Sequence, residues 1–101
     1  GRTVEAKTLH DWGLVSRLVP AGQDVVQAAV EVAREMCRNS PDALIVGRLG
    51  VRMSWEYGNV EESVSALEHS WYPKLMAGAN FAEGIRAFTE KRAPKWLDSK
   101  L

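Results

Sequence analysis

The side chains able to do chemistry are few and widely spaced. Cys37 is the single cysteine, so no internal disulfide forms. As a nucleophile it would need a base and a partly exposed, electropositive setting. Its place among Ala33 and Met36 at helical spacing reads instead as a small buried hydrophobe. His10 and His69 lie too far apart in sequence to imply a pair, and no His/Cys/Asp group has metal-ligand spacing, so no metal site is expected. Glu83 stands three residues after Asn80, the spacing of a capping box, and Glu90 belongs to a charged last turn. Both glutamates read as structural rather than as acid–base residues. The four tryptophans fit core or interface anchors better than a ligand cage. No catalytic residue is expected in this chain.

The elements that must position these groups are helical. Thr3 predicts a cap for a short helix from Val4 to Trp12, stopped by Gly13. Leu14 to Val19 reads as a short extended segment ending at Pro20. Asp24 predicts the next cap, and Val26, Val30, Ala33 and Met36/Cys37 recur at helical spacing through Arg38. Ser40-Pro41-Asp42 then carries a cap, a first-position proline and an acid at the positive end of a helix reaching about Tyr57. That helix is apolar around most of its circumference, which predicts burial on several sides. Gly47 and Gly50 within it predict close approach by another element. Gly58 breaks it, Asn59 caps the next, and Pro73 predicts a kink or stop near Tyr72 before a last turn over Lys74 to Gly78.

The final helix is the most strongly marked. Asn80 predicts its cap; Phe81, Ile85 and Phe88 fall on one apolar stripe; Glu90-Lys91-Arg92 close it and Pro94 prevents continuation. The whole is an all-α chain of about five helices with one short extended segment. Residues 1–23 form an opening helix and segment, 24–96 a helical region, and 97–101 a flexible tail.

Bulk properties narrow the field. A chain of 101 residues is one domain or less, and buries roughly 60–70% of its unfolded surface. Thirteen basic and thirteen acidic residues cancel, which leaves no electrostatic footprint for nucleic acid or an anionic membrane and does little to oppose self-association. No apolar run approaches the ~20 residues of a membrane span. The last three residues are Ser99-Lys100-Leu101, a peroxisomal address read by an import receptor. They predict a peroxisomal matrix location.

Two blocks carry a family resemblance. Phe81, Glu83-Gly84, Ala87-Phe88, Glu90-Lys91-Arg92, Pro94 and Trp96 resemble the C-terminal signature of the crotonase (enoyl-CoA hydratase/isomerase) family. Ala6, Gly13-Leu14-Val15 and Val19-Pro20 resemble a second segment of that family, in the family's order and at about its separation. The resemblance implies a C-terminal portion of the crotonase fold, with the oxyanion hole and the catalytic carboxylate of a hydratase or isomerase lying upstream. It further implies trimer-type homo-oligomer contacts, an acyl-CoA thioester as substrate in β-oxidation-type chemistry, and Lys91 and Tyr72 as contacts to the nucleotide end of CoA. A lysine ammonium suits a phosphate, and a tyrosine face stacks on adenine. The alternative is a stand-alone, non-catalytic helical binding module imported into peroxisomes.

Overall fold

The computed structural model describes residues 1–101, and its regular elements are all helices, with no strand. Six helices follow one another: α1 (Ala6–Asp11), α2 (Val25–Met36), α3 (Pro41–Tyr57), α4 (Val60–Ser70), α5 (Tyr72–Ala77) and α6 (Ala79–Thr89). The count exceeds five because Pro73, in the first turn of α5, sets off the last turn as a helix of its own. Residues divide into two compact units, Gly1–Glu35 and Met36–Leu101.

In the first unit, α1 starts later than expected. Glu5 occupies its cap position without a side-chain bond, and Thr3 takes no part. A Lys7–Asp11 ion pair of 2.8 Å lies along its exposed face, where it adds little. Leu14 to Pro20 forms no strand, since an extended segment needs a neighbouring edge for its ladder and this chain offers none. α2 is capped as expected: Asp24 Oδ1 accepts from the Val26 and Gln27 amides at 2.8 and 3.2 Å. Its valines Val25 and Val26 remain exposed.

The second unit is built on caps and polar pins. Ser40 Oγ accepts from the Ala43 amide at 3.4 Å, and Asn59 Oδ1 from the Glu61 and Glu62 amides at 2.8 and 3.4 Å, so both expected helix starts are present. Cys37, expected to be buried, is exposed, because no residue of the helix before it is buried. α3 and α4 pack together where Leu67 crosses Gly50; a Cβ at Gly50 would meet Leu67 Cδ2 at 3.2 Å. Gly47 meets nothing, so the close approach expected at both glycines exists at one. Buried Ser63 fastens the same pair of helices, its Oγ lying 2.7 Å from Asn59 O and 3.1 Å from Met53 O.

Only Val46 and Ala87 are buried apolar residues, against buried Asp42, Ser63 and Asn80. α3 is therefore not enclosed on several sides: Val51 is exposed and Trp55 is 83% exposed. Two residues of the expected α6 stripe also face outward, Ile85 exposed and Phe88 86% exposed, while Phe81 is half-buried. Its inward residues are Asn80, Glu83, Gly84 and Ala87, which fall at i, i+3, i+4 and i+7.

Asn80 is not the cap of α6. Gly78 occupies that position, and Asn80 lies inside the first turn, 3% exposed. Its Nδ2 donates to Asp42 Oδ2 at 3.1 Å and to Leu97 O at 3.0 Å, while its Oδ1 accepts from the Leu97 amide at 2.8 Å. One carboxamide thus joins the start of α3, the start of α6 and the returning tail, and any free tail begins beyond Leu97. Asn80→Ala removes all three bonds and strands buried partners. The expected cost is about 2–4 kcal/mol, read as a lower urea midpoint together with faster exchange of the Leu97 amide.

Candidate functional site

Glu83 collects more bonds than any other carboxylate in the chain. Arg92 grips it with both terminal nitrogens, Nη1 to Oε1 at 2.6 Å and Nη2 to Oε2 at 3.0 Å. The Lys95 amide donates to Oε1 at 2.8 Å, and Arg86 Nε lies 3.5 Å from Oε2. The side chain is 12% exposed. The capping role expected for Glu83 is therefore replaced by a clamp across the chain reversal after α6. Pro94 was the sequence signal that the chain turns here; nothing local showed that Arg92, nine residues on, would return to Glu83. The Arg92 hydrogen bonds, then the Lys95 N–H, hold the Glu83 carboxyl well below its ordinary value of 4.5, at about 2, against the opposing effect of burial. The Arg92 guanidinium is held correspondingly more firmly protonated by Glu83 and Glu90.

Lys91 sits inside this reversal with φ 54°, the only non-glycine residue at positive φ. Its amide bonds Phe88 O at 3.2 Å and the Arg92 amide bonds Ala87 O at 3.0 Å. These two bonds form a Schellman end, whose left-handed position glycine usually takes. Lys91 is exposed and enters no ion pair, while Glu90 on one side is paired with Arg92 on the other.

Beyond the clamp the tail runs back along α6. A Cβ at Gly84 would meet Trp96 Cη2 at 3.3 Å, so a side chain there would displace the indole by a few tenths of an ångström. Trp96 Nε1 donates to Arg38 O at 2.8 Å, which ties the tail to the start of the unit. Lys100 and Leu101 line a cavity of about 300 Å³ with Asp42, Lys74, Gly78 and Asn80. Ser99 is half-buried and its Oγ accepts from the Leu101 amide at 3.2 Å.

Tyr72 opens α5 and is 47% exposed, with its ring available on the surface. Beside it, Lys74 Nζ stands 4.6 Å from the Trp71 ring centre, a cation–π contact. Neither Tyr72 nor Lys91 lines the 300 Å³ cavity or the wider one of about 540 Å³ formed by Tyr57, Glu61, Glu62, Ser65, Ala66 and His69. In that wider cavity Ser65 and His69 form no nucleophile–base pair. His69 Nδ1 lies 2.6 Å from Ser65 O, so the proton it donates there leaves no lone pair for the hydroxyl at 3.5 Å.

The second unit thus presents a surface lysine on left-handed backbone within a clamped reversal, and a surface tyrosine at the start of α5. The chain belongs to the enoyl-CoA hydratase/isomerase family, whose model matches residues 1–99. It is 50% identical over its whole length to the mevalonyl-coenzyme A hydratase of Aspergillus fumigatus, and 42% identical to that of Beauveria bassiana, covering 37% and 36% of those proteins. A carnitinyl-CoA dehydratase of Salmonella typhi is 31% identical over 95% of the chain, which covers 37% of that protein. Among solved structures, an enoyl-CoA hydratase/isomerase from Mycobacterium paratuberculosis superposes with a TM-score of 0.82 at 28% identity, over 91% of this chain and 35% of that one. The chain thus spans about a third of the length of the relatives it matches.

The Glu83 clamp has a pH signature. Because its folded pKa lies below the unfolded value, its contribution to stability is complete above about pH 4.5 and is lost as pH falls toward about 2. Thermal midpoints followed from pH 6 to pH 2 are expected to fall more steeply for the native chain than for Glu83→Gln, with the difference confined to that window.

Proposed function

We propose that this chain is the C-terminal, CoA-facing portion of a hydratase acting on a branched acyl-CoA of the mevalonyl type. The observation that carries the reading is the 50% identity to a mevalonyl-CoA hydratase across all 101 residues, well above the 31% to a carnitinyl-CoA dehydratase. Hydration of an enoyl thioester needs an oxyanion hole for the enolate and a carboxylate to move a proton. This portion supplies neither. It supplies Lys91 as a point charge for a phosphate at the nucleotide end of CoA and Tyr72 as a face for adenine. The first reaction class suggested by the resemblance, fatty-acid β-oxidation, gives way to this narrower substrate because the two most similar relatives named above share it.

Exposed Ile85 and Phe88 on α6, and exposed Val51 and Trp55 on α3, support burial of these surfaces against the upstream part of the fold or a second subunit of a homo-oligomer. The terminal Ser99-Lys100-Leu101 supports import into the peroxisomal matrix by a receptor that reads a free carboxyl end.

The test is capture of the native protein from organelle fractions with an antibody to the Trp96–Leu101 tail, followed by assay. The captured protein is expected in the peroxisomal fraction, and to interconvert mevalonyl-CoA and its dehydrated enoyl-CoA faster than it hydrates a straight-chain enoyl-CoA. A preference for straight-chain substrates would return the reading to β-oxidation. A band no larger than this chain, without activity, would favour the non-catalytic binding module.

A further inference from the structure

We propose that Glu83 positions Lys91 for its phosphate, acting through Arg92 and through the backbone of Lys95; the inference rests on the CoA reading of Lys91 given above. Left-handed backbone costs a lysine free energy that a glycine would not spend, so something must hold residue 91 there. The Schellman bonds define the geometry but occur most readily with glycine. The bonds that make it compulsory come from Glu83. It fixes Arg92 by two charged hydrogen bonds and Lys95 by one, on the far side of the reversal from the helix it belongs to. Lys91 lies inside the loop so closed, and its direction of exit is set by bonds on both sides.

Glu83 also decides which cation is available. Arg92 is held by Glu83 and Glu90, and Arg86 lies against Glu83, so two guanidiniums at this helix end are engaged by acids. Lys91 is not engaged. Of the two ammoniums left unpaired in the reversal, Lys91 and Lys95, only Lys91 stands on left-handed backbone closed from both sides, so an incoming phosphate meets one ammonium in a fixed place. Glu83 need not touch the ligand to do this. Its carboxylate is fully occupied within the clamp.

The experiment compares dissociation constants of CoA and 3′-dephospho-CoA for the complete protein carrying this chain, by calorimetry. The native protein is expected to favour CoA by about tenfold, the effect of one well-placed ion pair, and Lys91→Ala to remove that preference. Glu83→Gln is expected to reduce the preference to within about twofold while leaving the affinity for 3′-dephospho-CoA unchanged. A crystal structure of that variant should show φ of Lys91 moved out of the left-handed region.

Glu83→Gln that keeps the full preference, or weakens both ligands alike, overturns the positioning role; the second result marks Glu83 as merely structural. Should Glu83→Gln not fold, Arg92→Gln breaks the same pair from its more exposed side and is read identically. Absence of any preference in the native protein, or its survival in Lys91→Ala, overturns the Lys91 reading itself and the positioning inference with it.

Discussion

A buried carboxamide must bond its two donors and its acceptor internally, because no water reaches it to take their place. Asn80 meets that requirement by joining three parts of the second unit: Asp42 at the start of α3, its own helix α6, and both backbone groups of Leu97. The demand is directional as well as energetic. A leucine at this position could bury as much surface but would not select Leu97 over its neighbours. The Asn80 contact therefore sets the register in which the tail lies on α6. Trp96 over Gly84 and Lys95 on Glu83 follow from that register.

This organisation explains why α6 turns a polar and small-residue face inward. Asn80, Glu83, Gly84 and Ala87 are suited to receiving an extended tail at close range: two make bonds to it, one clears space for an indole and one is small enough to be covered. The large apolar residues Ile85 and Phe88 are consequently carried on the other side. Burying either side chain is worth about 1.5–3 kcal/mol, so leaving both in water forgoes a large part of the stability of a unit this size. The two faces of α6 differ in kind: the inner one receives the tail of the same chain, and the outer one carries large apolar side chains into solvent.

Much of the fold was legible because it is written in local chemistry. Asp24, Ser40 and Asn59 each precede a run at helical spacing and each caps a helix start, and Pro73 divides α4 from α5. What escaped is whatever depends on long-range pairing. The Asn80–Glu83 spacing fits a capping box, and only the Asp42 and Leu97 partners, 38 and 17 residues from Asn80, override it. The apolar stripe of α6 was correctly read as a stripe, but periodicity fixes which residues share a face and is silent about what that face meets. Cys37 illustrates the same limit. Its spacing with Ala33 and Met36 is real, yet Met36 and Cys37 are both exposed.

Under the proposed role of Lys91, the contacts that stabilise the end of α6 also place a charge. A glycine in its place would relax the backbone and complete the helix end at lower cost. The lysine stands at a position where its side chain lies outside every ion pair and its neighbours Glu90 and Arg92 are paired with each other. Strain of this kind persists only where the surroundings over-determine the backbone, and here they do so from both directions. Two hydrogen bonds from the helix end and three from Glu83 converge on residues flanking a single side chain. A scaffold that needed only to stop a helix would not require so many bonds around one exposed lysine. A scaffold that must hold one charge at a fixed place, as proposed for Lys91, would.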